Sequence, residues 1–204
     1  MNADQINTGR GYWLAWFLAS VMGFGVGAVL GVSSAYRFFP PNTFATPHGI
    51  TLGIVMGATG GYFQWVVLRE RVAGAVLWGL ASAVGFGSAM GTLLAANLAQ
   101  NPAMAGLLVG IVFGVAGGIL HWLILRRKVP RASWWLLANL LGSLVGTIAF
   151  PVAVAISETG NWGLAIIVFG MGFGAGNGAI TGTALLRLLP QSPSSDAEDL
   201  AAAH

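Results

Sequence analysis

Long apolar stretches separated by short polar breaks run through the whole chain, and their length is the most informative property they have. A bilayer core about 30 Å thick takes about 20 helical residues to cross. Stretches that meet this run from Tyr12 to Ser33, Ile50 to Leu68, Val72 to Leu98, Ala103 to Leu125, Ser133 to Ile156 and Trp162 to Leu188. The pattern predicts an all-α polytopic membrane protein with six transmembrane helices. The breaks carry helix-stopping chemistry: Pro40, Pro41 and Pro47 after the first stretch, Asn101 and Pro102 after the third, Pro130 after the fourth, and Glu158 to Asn161 after the fifth. Connections this short make successive helices antiparallel, so the chain reads as helical hairpins. Only Ser34 to Gly49 is long enough for loop structure of its own. Residues 1–189 thus form one transmembrane domain, and residues 190–204, rich in Ser, Asp and Glu, read as a disordered cytoplasmic tail. The first stretch is longer than a signal-peptide core and further spans follow it, so it is read as a retained helix.

Composition agrees with this class. Of 204 residues, 56% are hydrophobic and 7% charged, whereas a soluble domain carries roughly a quarter charged residues. Cysteine is absent, which excludes disulfides and thiolate chemistry. The basic residues sit at the ends of the apolar stretches and form no stripe suited to nucleic acid. Arg10, Arg69, Arg71, Arg126, Arg127, Lys128, Arg131 and Arg187 fall on one face and Arg37 alone on the other. That bias places both termini in the cytoplasm and the protein in a cell inner (cytoplasmic) membrane.

Aligning the second span on the fourth superposes Gly49, Gly53, Gly57, Gly60, Gly61, Gln64, Trp65, Leu68 and Arg69 on Gly106, Gly110, Gly114, Gly117, Gly118, His121, Trp122, Leu125 and Arg126. Trp16, Ala19, Ser20 and Gly23 correspond likewise to Trp78, Ala81, Ser82 and Gly85, and to Trp135, Ala138, Asn139 and Gly142. The last span keeps a weaker copy, with Leu186 and Arg187 in the Leu-Arg positions and Gly178 at the place of Gly60 and Gly117. The chain is therefore expected to be three tandem hairpins, at about 12–69, 72–126 and 133–188. With two spans in each unit the copies are parallel, which implies a pseudo-threefold bundle. Glycines spaced by four, as in Gly49 to Gly61, Gly106 to Gly118 and Gly23 to Gly31, are expected to let helices pack closely. The run Gly170 to Gly176 lacks a preceding strand and lies within an apolar span, so it is no dinucleotide loop. Trp13, Trp65, Trp122, Trp134 and Trp135, near the basic ends, read as an interfacial belt.

Polar side chains within the membrane must face a neighbouring helix or a wet cavity. They are Gln64, His121, Asn139, Asn177, Ser20, Ser82, Ser88, Thr147 and Thr181, with Glu158 at the end of the fifth span. No carboxylate lies at mid-membrane, which argues against a proton-coupled pump. Catalytic constellations are lacking, so the chain reads as no enzyme. His121 carries the most chemistry: hydrogen bonding between helices, ligation of a chlorophyll-type pigment, or a role in transport. A lone imidazole is poor support for a metal site, and His48 in the outer loop is weaker still. Gln64, Asn139 and Asn177 join His121 as ligand or pore candidates. Arg69, Arg71, Arg126, Arg127, Lys128 and Arg131 are candidates for binding anionic lipid headgroups.

The repeated Gln/His-Trp-x-x-Leu-Arg, carried by Gln64, Trp65, Leu68, Arg69 and Val72 and by His121, Trp122, Leu125, Arg126, Val129, Ala132, Trp134 and Trp135, resembles a group of uncharacterised bacterial multi-pass membrane proteins of cyanobacteria and Chloroflexi. The resemblance covers four of the spans and implies no activity or catalytic residue. Three readings stand open. The first is a structural or accessory subunit that packs through its glycine faces against itself or a larger membrane complex. The second is a small channel or transporter with a path along the pseudo-threefold axis. The third is a pigment-binding accessory protein using His121.

Overall fold

In hydrocarbon a backbone must satisfy its own N–H and C=O groups, which for an apolar run without closed sheet partners means helix. The computed structural model describes residues 9–39, 46–72, 75–96 and 101–189. Among them there is no strand. The helices are α1 (Gly9–Phe38), α2 (Thr46–Leu68), α3 (Trp78–Ala95, entered through a 3-10 turn at Ala75–Leu77), α4 (Pro102–Leu125), α5 (Trp134–Gly146), α6 (Ala149–Glu158) and α7 (Trp162–Leu188). With α5 and α6 taken as one span, six stretches are long and apolar enough to cross a membrane.

Two boundaries differ from the expectation. The first helix runs on from Ser33 through Arg37 to Phe38, and α2 begins at Thr46, so much of the loop read from Ser34 to Gly49 is helical. Pro47 does not prevent this, because a proline in the first turn replaces an N–H that would have no helical acceptor. The Pro40-Pro41 break, Leu98 at the end of the third stretch and the 190–204 tail lie outside the described residues. The fifth span, expected to be continuous, breaks between Gly146 and Ala149. Pro151 is the cause: it has no N–H for the Thr147 carbonyl, and its ring crowds that oxygen. The carbonyl instead accepts from Phe150 N at 2.9 Å, and Ile148 N donates to Val145 O at 3.2 Å, a locally tightened turn.

Other helix starts follow their residues closely. Asn101 Oδ1 accepts from Met104 N at 3.2 Å, with Pro102 opening α4. Asn161 Oδ1 accepts from Leu164 N at 3.2 Å and opens α7. Gly160, at φ 84, supplies the left-handed turn between α6 and that cap.

The helices close into a ring. α1 packs on α2 and α7, α3 on α2 and α4, α5 on α4 and α7, and α6 on α7 and more lightly on α4. Tyr12, Val72, Val129 and Leu189 belong to one buried cluster. Their neighbours Arg10, Arg71, Lys128 and Arg187 are thereby drawn to one end of the bundle.

The glycine stripes face inward between neighbouring helices of the same chain. A Cβ on Gly53 or Gly57 of α2 would strike the carbonyl oxygens of Phe86 or Ser82 on α3. One on Gly170 or Gly174 of α7 would strike those of Phe24 or Ser20 on α1. On α4, a Cβ at Gly114 would lie 2.9 Å from Leu140 Cα and one at Gly110 3.2 Å from Leu144 Cα of α5. Gly27 and Gly31 of α1 lie as closely on Met56 and Leu52 of α2. The outer surface is left to half-exposed aliphatic residues such as Leu18, Met22, Val84, Ile111 and Leu141.

Gly57→Leu and Gly174→Leu are each expected to destabilise the bundle by about 1–3 kcal/mol through overpacking against backbone. Gly163→Ala, with open space around its position, should be near neutral. Thermal unfolding in detergent compares the three. Equal midpoints would show that the close approaches carry no weight.

Candidate functional site

Hydrogen-bonding side chains on a helix inside a bilayer are favourable only where a neighbouring helix supplies partners. In this bundle Ser20, Gln64, Ser82, His121 and Thr181 gather one turn in from the basic end, around three tryptophans, and Asn177 and Ser143 meet further in. Trp16, Trp78 and Trp135 are each at most 1% exposed. Their rings meet edge to face, with centroids 5.9 Å apart for Trp16 and Trp78, 6.3 Å for Trp16 and Trp135, and 5.2 Å for Trp78 and Trp135. This corrects the assignment of Trp135 to the interfacial belt. Its neighbour Trp134 is the exposed one, because two successive helical residues point about 100° apart.

Gln64 spans two neighbours. Its Oε1 accepts from Trp78 Nε1 on α3 at 3.0 Å, and its Nε2 donates to Ser20 Oγ on α1 at 3.0 Å. Ser20 Oγ donates to Trp16 O at 2.9 Å. Trp16 Nε1 donates to Thr181 Oγ1 on α7 at 3.0 Å, and that hydroxyl donates to Asn177 O at 2.7 Å. Thr181 therefore does for Trp16 what Gln64 does for Trp78.

Burial sets the register of the last span. Leu68, Leu125 and Leu185 are all fully buried, four residues after Gln64, His121 and Thr181. Gly61 faces Ser82 Oγ and Gly178 faces Ser20 Oγ in the same manner. The alignment of Leu186 with Leu68 and of Gly178 with Gly60 is thus one residue out. The Leu-Arg pair misled it, since α7 carries Leu at 185, 186 and 188.

His121 departs from this scheme. Its ring stacks on Trp78 at 4.0 Å and 14°, stands edge-on to Trp135 at 6.0 Å, and holds Nε2 3.0 Å from Ser82 Oγ. Nδ1 of His121 and Nε1 of Trp135 make no well-formed hydrogen bond. A rigid imidazole that meets the serine cannot at the same time accept from the third tryptophan, as the longer amide of Gln64 does. His121 is buried, enclosed by Trp78, Trp135 and Ser82.

Asn139 Nδ2 donates to Gly114 O at 3.1 Å, tying α5 to α4, and Asn177 Nδ2 donates to Ser143 Oγ at 3.3 Å, tying α7 to α5. Ser143, whose hydroxyl donates to Asn139 O at 2.6 Å, was missed by sequence reasoning. It occupies the place of Phe24 and Phe86, so its helical register carried the signal. Ser88 faces outward, contrary to expectation, and Thr147 closes on its own helix at Leu144 O.

Further along the axis Phe24, Phe86, Phe113 and Phe173 fill the centre. Their centroids lie 4.2 Å apart for Phe86 and Phe113 and 5.1 Å apart for Phe24 and Phe173. At the end opposite the basic cluster an almost wholly apolar cleft of about 260 Å³ opens between α1, α2, α6 and α7. His48, placed in the outer loop by its sequence position, is buried in the first turn of α2 beside this cleft, against Tyr36 and Phe39.

The basic candidates divide by what they touch. Arg69 lies 5.6 Å over Trp65, Arg126 5.2 Å over Trp122 and Arg71 4.5 Å over Tyr12. Arg127 and Lys128 border a groove between α3 and α4, and Arg131 one between α5 and α7. Among the described residues no three His, Asp or Glu side chains cluster as a metal site would require.

His121→Gln is expected to raise the thermal midpoint, through a gain in stability of about 0.6 kcal/mol, because an amide reaches both Ser82 and Trp135. Gln64→Leu should cost about 1–3 kcal/mol by leaving Trp78 Nε1 without an acceptor. A lowered midpoint for His121→Gln would mean that the imidazole is held for another purpose.

Compared with protein-family models, with curated proteins and with solved structures, the chain gives no match.

Proposed function

We propose that this chain is an accessory membrane subunit: a self-supporting bundle of three tandem parallel hairpins about a pseudo-threefold axis, in the cytoplasmic membrane with both termini inside. The observation that carries the reading is the axis itself. One layer of it is filled by Trp16, Trp78 and Trp135 and a second by Phe24, Phe86, Phe113 and Phe173. A solute path along it would have to displace both layers. The pore candidates Gln64, His121, Asn139 and Asn177 each have a hydrogen-bond partner on a neighbouring helix. What remains for partners is the aliphatic exterior.

The repeat is supported by recurrent contacts. Gly57 meets the Ser82 carbonyl as Gly174 meets that of Ser20, and Trp78 donates to Gln64 as Trp16 donates to Thr181. Orientation rests on the basic residues gathered at one end.

In mild detergent the tagged chain is expected to purify in a stoichiometric complex, with copies of itself or with another integral membrane protein. Liposomes containing it should hold ion and small-solute gradients as protein-free liposomes do. Flux that scales with protein content would replace this reading with a channel. The absence of cysteine makes topology simple to test. Arg127→Cys should react with an impermeant maleimide only from the cytoplasmic side and Thr159→Cys only from the other; the reverse pattern would invert the orientation.

A further inference from the structure

Two outward grooves at the basic end combine aliphatic walls with a cationic rim. Between α3 and α4 lies one of about 580 Å³, walled by Leu80, Val84, Leu120 and Leu123 and bordered by Arg127 and Lys128. Between α5 and α7 lies one of about 760 Å³, walled by Leu137, Leu141 and Ile180 and bordered by Arg131 and Arg187, with Trp13 and Trp134 beside them. Their walls are uncovered by protein, Leu80 being 62% and Leu137 46% exposed.

The grooves occupy matching places in their hairpins. In the register of Trp78 with Trp135 and of Leu125 with Leu185, Leu80 and Val84 correspond to Leu137 and Leu141, and Arg127 corresponds to Arg187. The matching residue of the first hairpin, two after Leu68, is Glu70. A cation at this position thus accompanies the groove in the second and third hairpins, and the first carries the opposite charge. Arg131 reaches its groove from a turn held at φ 57, just ahead of α5.

We propose that each of these grooves binds one anionic phospholipid, its acyl chain along the aliphatic wall and its phosphate at Arg127 and Lys128 or at Arg131 and Arg187. Charge complementarity selects this occupant. The walls lie at hydrocarbon depth and the cations at the depth of headgroups, where basic side chains attract anionic lipid. The inference rests on the membrane reading and not on the accessory role, so it survives if solute flux is found.

Native mass spectrometry of the full chain, titrated with phosphatidylglycerol or with phosphatidylcholine of the same acyl chains, tests it. Two phosphatidylglycerol molecules should be retained, with a preference over phosphatidylcholine of about tenfold or more. Arg127→Gln with Lys128→Gln should remove one and Arg131→Gln with Arg187→Gln the other, with unchanged thermal midpoints in lipid-free detergent. Val84→Trp and Leu141→Trp, which fill the walls and keep every cation, should each remove one as well. Equal retention of the two lipids, or retention by the Gln pairs, would overturn the proposal. Retention by the Trp variants would assign the binding to diffuse surface charge and overturn it too, as would a homodimer that closes the grooves and holds no lipid.

Discussion

Helices surrounded by lipid gain nothing from the hydrophobic effect by touching one another, so this bundle depends on how closely its backbones approach. Gly53 and Gly57 on α2, Gly110 and Gly114 on α4, and Gly170 and Gly174 on α7 each press against the next helix round the ring. A methyl group at most of these positions would meet main chain, which cannot move aside as a side-chain terminus can. The approach sets the height of every neighbouring residue, and with it the level at which the tryptophans, phenylalanines and polar groups meet.

Close backbones also bring short polar side chains within reach of each other. Ser20 and Ser82 stand beside the glycines of the adjoining helix, and this places their hydroxyls against Gln64 and His121. Hydrogen bonds of this kind contribute on average only about 0.6 kcal/mol each in a membrane. Their greater effect is on register: a slip by one residue would turn Gln64 toward lipid and leave Trp78 Nε1 without an acceptor. At His121 the serine contact remains while the bond to tryptophan is lost. Ring stacking on Trp78 takes its place, which is a local change of chemistry within one packing scheme.

The single break in the ring has a local cause and a regional effect. Pro151 divides the fifth span, and the short helix that follows leans on α7 with little contact to α4. The apolar cleft at the end opposite the basic cluster borders this helix. At the basic end the indoles of Trp65 and Trp122 carry Arg69 and Arg126, the Tyr12 ring carries Arg71, and Arg127, Lys128, Arg131 and Arg187 border the outward grooves.

Much of this was legible in the residues because membrane helices are governed by length and polarity, both of which are linear properties of a chain. The six spans, the grouping of the cations, and the close correspondence of Gln64 with His121 needed no coordinates. Side-chain direction was harder to read. Trp134 and Trp135 are adjacent and identical, yet one faces outward and the other fills the axis, because helical rotation separates them and only the position of the neighbouring helices says which is inside. Leu186 and Gly178 stand one residue out of the register read for the last span for a related reason: repeated leucines offer several registers, and burial selects Leu185. The sequence by itself determined the number and length of the spans, since crossing hydrocarbon demands them. Only the tertiary structure decided that the glycine faces point inward and that the axis is filled, because those depend on which helix lies against which.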